Sequence, residues 1–293
     1  MKTFISIATL SFFTLISCGQ KKEITEDFIT LPNHLQEVSG LHYDTTSKTF
    51  WTVQDSGNSN ELYQIDSTGN IVHTVKIKNQ KNKDWEELTS DSEGNLYIGD
   101  FGNNKNTRKD LKIIKVEKNN LVKEEVDASA IISFEYPEQK QFPPKDTELI
   151  YDAEAFFLYN DNFYIFTKNR SKGFDGRSNV YKIPNVAGHH KAQLVQTFKG
   201  CNVYKHCAIT GAAISPDQKT FVLLSHSKLW IIDGFNPNAI LDGKISEHKL
   251  NHVSQKESVS FDGNNTVYIA DEVKKQTGGK IYKVDLGALK PKP

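Results

Sequence analysis

Asp84-Trp85-Glu86-Glu87-Leu88, followed by Leu96-Tyr97-Ile98-Gly99-Asp100, decides how the rest of the chain reads, because the same figure returns in four other places. Upstream stands Glu37-Val38-Ser39-Gly40-Leu41, then Phe50-Trp51-Thr52-Val53 leading to Asp55. Downstream come Asp152-Ala153-Glu154-Ala155-Phe156 with Phe163-Tyr164-Ile165-Phe166-Thr167-Lys168, and a weaker copy, Thr210-Gly211-Ala212 with Phe221-Val222-Leu223-Leu224-Ser225. The last is Glu257-Ser258-Val259 with Val267-Tyr268-Ile269-Ala270-Asp271. Self-similarity at a spacing of tens of residues marks a propeller or another repeat array.

Each copy reads as successive strands. Turn clusters such as Ser67-Thr68-Gly69-Asn70, Asp91-Ser92-Glu93-Gly94-Asn95 and Asp262-Gly263-Asn264-Asn265 are each followed by a β-branched or aromatic run, the pattern of hairpins. No window shows helical periodicity, so the class is all-β. Third strands are expected at 62–66, 112–116, 180–184, 229–233 and 281–285, and fourth strands at 71–77, 131–136, 194–198 and 245–250. The fifth copy has no fourth strand, while the strand-like Phe28-Ile29-Thr30-Leu31 precedes the first. A ring accounts for both: the N-terminal strand completes the last blade, and closure removes the exposed sheet edges. The count gives a five-bladed β-propeller; the length also suits six, if 119–148 or 187–204 hide degenerate strands.

Composition narrows the function classes. Of 293 residues, 37% are hydrophobic and 25% charged, which is globular rather than disordered. Lys plus Arg and Asp plus Glu both number 36, so no net field draws the chain to nucleic acid, and none is expected as a partner. The N-terminus is a targeting segment. Met1-Lys2-Thr3 is followed by an apolar run from Phe4 to Ile16, too short to span a bilayer, and then by Leu15-Ile16-Ser17-Cys18, which resembles a bacterial lipobox. The expectation is a lipoprotein signal peptide over 1–17, a lipidated Cys18 with a polar tether over 18–25, and one propeller domain over 26–293. The mature chain would sit in the bacterial cell envelope as a monomer, anchored to a membrane, the outer one by preference, without spanning it. In that oxidising compartment Cys201 and Cys207 are expected to pair; a zinc site with His206 is the lesser reading.

The first strand of a propeller blade lines the central channel, and side chains alternate with period two. Aligned, the repeats stack Ser39, Glu86, Glu154, Thr210 and Glu257, with Glu37, Asp84 and Asp152 two residues earlier. The second strands end at Asp55, Asp100, Lys168, Ser225 and Asp271, and Glu86–Asp100, Glu154–Lys168 and Glu257–Asp271 share one spacing. Carboxylates crowded at one mouth repel unless a cation, Lys168 or water compensates them. Hard oxygen ligands of this kind suit Ca²⁺ or Mg²⁺. Glu86, Glu154, Glu257, Asp55, Asp100 and Asp271 are therefore candidate metal ligands. Glu37, Asp84, Trp85, Asn103, Asn104, Asp152 and Lys168 are candidate ligand contacts. The competing reading is that the acids cap turns and bind backbone N–H groups. Asp44, Asp66, Asp91, Asp233 and Asp262 are assigned to turns. His189-His190, His206 and Arg170 have no partner that the sequence names.

Val38-Ser39-Gly40-Leu41, Gln54-Asp55-Ser56-Gly57-Asn58, Asp84-Trp85-Glu86-Glu87, Gly99-Asp100-Phe101-Gly102-Asn103-Asn104, Asp152-Ala153-Glu154-Ala155 and Ile209-Thr210-Gly211-Ala212-Ala213-Ile214-Ser215-Pro216-Asp217 together resemble a group of exported bacterial β-propellers, related to the SdiA-regulated and esterase-like phytase propellers. The resemblance spans about residues 37–230. It implies a propeller with an acid-rich face and Ca²⁺ sites, and no agreed reaction. Three functions remain in view. One is a lipid-anchored binding propeller for a small ligand, glycan or protein. Another is a metal-dependent hydrolase of phosphoesters or lactones, against which stand the lack of a Gly-x-Ser-x-Gly elbow and the single Lys168 among the aligned acids. The third is a purely structural scaffold in an envelope complex, with no ion on the acidic face.

Overall fold

The computed structural model describes residues 23–289. They form five antiparallel sheets arranged as blades around a channel. Blade one consists of Val38–Asp44, Thr49–Gln54, Glu61–Ile65 and Ile71–Ile77; blade two of Trp85–Ser90, Leu96–Asp100, Lys112–Val116 and Ala130–Glu135. Blade three consists of Asp152–Tyr159, Asn162–Lys168, Arg177–Pro184 and Gln193–Lys199; blade four of Gly211–Ile214, Thr220–Leu224, Lys228–Asp233 and Lys244–Lys249. Blade five takes Lys256–Asp262, Thr266–Asp271 and Lys280–Asp285 from the C-terminal end and Glu26–Thr30 from the N-terminal end. The N-terminal strand pairs antiparallel with the last one, Thr30 opposite Lys280, so the ring closes as the sequence requires. The blade count is five, and most strand ends fall within a residue or two of expectation.

Two short strands were not assigned from sequence. Glu125–Val126 leaves the third-to-fourth-strand connection of blade two and adds in parallel to the outer strand of blade one. Gly188–Lys191, from blade three, does the same to blade two, and it carries His189 and His190 to that outer edge. Each covers a sheet edge that would otherwise offer unpaired backbone groups, and each stitches a blade to its neighbour.

The blades pack through five apolar clusters, one per interface. Trp51, Trp85 and Ile98 lie between blades one and two. Phe101, Phe156 and Tyr181 lie between two and three, and Phe157, Phe221 and Trp230 between three and four. Val222, Ile231 and Val259 join four to five, and Phe50, Tyr63 and Tyr268 join five to one. Trp85 is thus fully buried between blades, not a platform for a ligand as the ligand-contact assignment had it.

The innermost strands touch their neighbours all the way round. Four of them carry a β-bulge near their start, at Ser39, Glu86, Glu154 and Glu257, the position the repeats stack. A bulge puts two residues opposite one and re-aims a side chain, so these glutamates are turned by a repeated backbone device. The residue after each bulge is Gly40, Glu87, Ala155 or Ser258, with Gly211 leading the blade-four strand. Glu87 is therefore the one large side chain where its counterparts are small. Its Oε1 accepts from the Ser258 hydroxyl at 2.5 Å, Leu88 N at 3.0 Å and Leu41 N at 3.3 Å. This fully buried carboxyl ties blades one, two and five together at the hub, and a Cβ on Gly211 would stand 3.3 Å from its Oε2.

Candidate functional site

At the end of the channel where the innermost strands begin, the bulges deliver Glu86, Glu154 and Glu257, and Asp84 and Asp152 precede the first two. Asp152 is fully buried, and Glu86, Glu154, Asp84 and Glu257 are each at most 9% exposed. Carboxylate oxygens of Asp55, Asp84 and Glu86 lie within 4.8 Å of one another, and so do those of Glu86, Asp152 and Glu154. Glu86 belongs to both groups.

The second-strand ends do not converge as the equal spacing suggests. Val38, Trp85, Ala153 and Lys256 occupy one position, and their partners across the hairpin differ. Trp85 faces Asp100 and Lys256 faces Asp271, but Val38 faces Gln54 and Ala153 faces Thr167. Asp55 and Lys168 therefore stand one residue beyond the position of Asp100 and Asp271. A slip of one residue turns a strand side chain to the other face of its sheet. Asp55 and Lys168 join the acids at the mouth; Asp100 and Asp271 do not. Asp100 is fully buried and bound by Arg108 Nη2 at 2.8 Å, with Lys112 Nζ at 3.6 Å. Asp271 accepts from Tyr282 Oη and Lys280 N, both at 2.9 Å. Both carboxylates are turned to partners within their own blades, although Asp100 Oδ2 has only the Lys112 ammonium at 3.6 Å and no hydrogen bond.

The mouth has two unlike halves. In one, Arg170 Nε binds Asp152 Oδ2 at 2.6 Å, its Nη2 binds Glu154, and its Nη1 donates to the Tyr204 hydroxyl at 2.7 Å. Lys168 Nζ binds Glu154 and lies 3.8 Å from Glu257, whose other oxygen is 3.2 Å from His226 Nε2. Burial would raise Glu257, but Lys168 and the His226 hydrogen bond bring it below the ordinary carboxylate range. Burial raises Glu154 to about 8 against the pull of Lys168 and Arg170.

In the other half, among the described residues, no Lys or Arg forms an ion pair with the acids, and Arg108 acts on Asp84 only through space. Among the described residues Glu86 makes no side-chain hydrogen bond or ion pair, and Asp84 Oδ1 is buried without a partner. Burial, then the neighbouring Glu154 and Asp55, pushes the Glu86 carboxyl well above its usual range. Burial and then Asp55 push Asp84 up to about 7. What borders this pair is backbone: a Cβ on Gly102 would stand 2.1 Å from Glu86 Oε1 and 2.5 Å from Asp84 Cγ. Hard oxygen donors, one of them buried and unpartnered, around a cradle that only glycine leaves open are the donor set a divalent cation takes.

The remaining assignments divide. Glu37 is exposed at the rim and accepts from Asn58 Nδ2 at 2.7 Å. Asn103 is a loop pin: its backbone N donates to Asp152 Oδ1 at 2.6 Å and its Oδ1 accepts from Arg108 N at 2.9 Å. That holds Gly102 in place. Asn104 is exposed beside it. Cys201 and Cys207 are bonded to each other, Cα to Cα 5.5 Å, so they offer no thiolate to zinc. The loop they close bears the Tyr204–Cys207 helical turn and brings Tyr204 to Arg170. Cys18 lies outside the described residues. Of the residues not singled out, Glu87 is the small-residue exception in the repeat alignment, a signal the alignment already carried. Tyr204 and His226 reach the mouth only through loop geometry, and no local motif marks them.

The family model described as SdiA-regulated matches residues 20–140. The chain resembles the SdiA-regulated family. The matched stretch covers blades one and two, which hold Asp55, Asp84, Glu86 and Gly102. The fold is similar to that of the PQQ-bound form of aldose sugar dehydrogenase from Streptomyces coelicolor, at 9% identity and a TM-score of 0.51. That likeness covers 89% of this chain and 97% of the other, and at this identity it is one of fold alone. No curated protein matches the chain. The SdiA-regulated resemblance and the β-propeller read from sequence both hold.

Proposed function

We propose that this SdiA-regulated-like propeller is a cell-envelope lipoprotein, anchored through Cys18 to the outer membrane by preference, that binds Ca²⁺ at its acidic central mouth and through it a small ligand, a glycan or a protein. One observation carries the cation: buried Asp84 and Glu86 meet the partly exposed Asp55, a buried Asp84 oxygen has no partner, and among the described residues no Lys or Arg forms an ion pair with the three. Three carboxylates leave part of the coordination shell of Ca²⁺, six to eight oxygens by its usual habit, to oxygens of a ligand. The anchor rests on the Leu15-Ile16-Ser17-Cys18 motif.

The test is a thermal-shift titration of the full chain in detergent with CaCl₂, beside Glu86→Gln. A cation that binds only the folded state raises the melting temperature, by an amount set by its concentration over Kd. Wild type should rise at millimolar Ca²⁺ and Glu86→Gln should stay flat; equal responses would remove the site. The hydrolase reading has one observation on its side, the His226 imidazole hydrogen-bonded to Glu257 within the same mouth. A His so held can serve as a general base beside a cation that polarises a substrate oxygen. Ca²⁺-dependent turnover of p-nitrophenyl phosphate or a simple lactone, lost in His226→Gln, would favour it over binding alone.

A further inference from the structure

Blades two and three present the same pair of acids in the same way. Asp84 and Glu86, and Asp152 and Glu154, are each two residues apart, and each glutamate sits on the bulge of its innermost strand. Gly102 and Arg170 both lie in the loop that leaves the second strand of their blade, Arg170 at the register position of Asn103 and Gly102 one residue before it. In blade three the arginine turns inward and its planar fork spans both acids, Nε to Asp152 and Nη2 to Glu154, while Tyr204 takes Nη1. In blade two the chain itself comes against the two carboxylates, and glycine supplies nothing to bind them. One pair thus has its counter-charge built into the sequence, and its twin has a buried oxygen without a partner.

We propose that Arg170 is the built-in cation of one of two like carboxylate pairs and that Gly102 leaves the other to an external divalent cation, so the mouth takes one cation and not two. The proposal rests on the reading that the mouth binds Ca²⁺, and it adds the residues that fix how many and where. Glu86 is shared by both groups of acids, so without Arg170 the arrangement would resemble a two-cation centre bridged by Glu86. A guanidinium is always charged and matches two carboxylates through its fork, which makes it a durable substitute for a second ion. Arg170 is accordingly a specificity-determining residue: it limits stoichiometry without touching the ion.

Isothermal titration of the full chain in detergent with CaCl₂, at fixed ionic strength, counts the sites. Wild type should bind one Ca²⁺. Gly102→Arg, whose new side chain meets movable carboxylate ends, should remain folded by circular dichroism and bind none. Arg170→Ala should gain a second site, weaker than the first because Lys168 still lies against Glu154, and Arg170→Lys should keep one. A folded Gly102→Arg that still binds one Ca²⁺ with wild-type affinity overturns the proposal. So does an Arg170→Ala variant with a single unchanged site. Should Arg170→Ala not fold, the Gly102→Arg result decides alone. Wild type that takes no Ca²⁺ sinks the proposed function and this inference together; wild type that binds one while both variants also bind one sinks this inference alone.

Discussion

The two halves of the mouth are built from one repeat and have opposite energetics. Around Asp152, Glu154 and Glu257 the protein supplies Lys168, Arg170 and a histidine, and every carboxylate has a charged or hydrogen-bonding partner. Around Asp55, Asp84 and Glu86 it supplies backbone, further acids and only the through-space pull of Arg108. A buried ion pair contributes little net stability, yet removing one member leaves an uncompensated charge. A buried carboxylate with no partner is already in that state and shifts toward its neutral form. The lesson is that a buried acid cannot be read by itself. Its cation, internal or external, decides whether it holds the fold together or works against it.

The sharpest way to break this contrast is to delete the cation from the paired half. Lys168→Met removes the ammonium held between Glu154 and Glu257 while keeping the bulk of the stem. The expected loss is about 3 kcal/mol, of the size seen when one member of a buried pair is removed. Urea unfolding measures it. A loss below ~1 kcal/mol would mean that Arg170 and His226 already neutralise both glutamates.

The matching change in the other half should have the opposite sign. Asp84→Asn keeps the shape and removes a carboxyl whose pKa is raised to about 7, by burial first and Asp55 second. Because the folded pKa lies above the unfolded one, the native state holds more protons than the unfolded state between about pH 4 and pH 7. Its contribution to stability therefore falls as pH rises through that window. In EDTA the variant should come close to wild type near pH 4 and exceed it by about 1–2 kcal/mol at pH 8, the range of an ordinary single-site effect. Millimolar Ca²⁺ should reverse the order at pH 8, since only wild type gains from binding. Urea midpoints at the two pH values, with and without Ca²⁺, decide it, and a variant less stable than wild type in EDTA would contradict the assignment.

The fold was legible because its signals are local and repeated: turn clusters, β-branched runs, and a missing fourth strand matched by a spare strand at the other end. The two added edge strands were not, since Glu125–Val126 and Gly188–Lys191 owe their pairing to a neighbouring blade and not to any pattern of their own. Half of the mouth was legible for the same reason. Asp55, Asp84, Glu86, Asp152, Glu154, Glu257 and Lys168 follow from aligning the repeats. Asp100 and Asp271 were placed with them by equal residue counts. Those counts conceal a hairpin difference: blade two turns between Ser90 and Leu96, whereas blade three turns tightly between Tyr159 and Asn162. One residue of register, invisible to counting, sends the two aspartates to other partners. Arg170 looked solitary because its acids are recruited across the hairpin and its third partner, Tyr204, comes from a disulfide-closed loop in the next connection.

That third partner gives the smallest effect, and it isolates how the paired half is held. Tyr204→Phe removes the hydroxyl 2.7 Å from Arg170 Nη1 and keeps the edge-on ring contact with Phe174, centroids 5.4 Å apart. Arg170 retains Asp152 and Glu154, and its side chain is 24% exposed, so water can replace the hydroxyl. The expected loss is about 1 kcal/mol, below the ~1.5–3 kcal/mol of a hydrogen bond to a charged group because water takes the place of the hydroxyl. Ca²⁺ stoichiometry should not change, because the hydroxyl bears on the arginine and not on Asp84 or Glu86. A large fall in Ca²⁺ affinity with little loss of stability would instead show that the two halves are coupled through Arg170, and the contrast between them would then be one of degree.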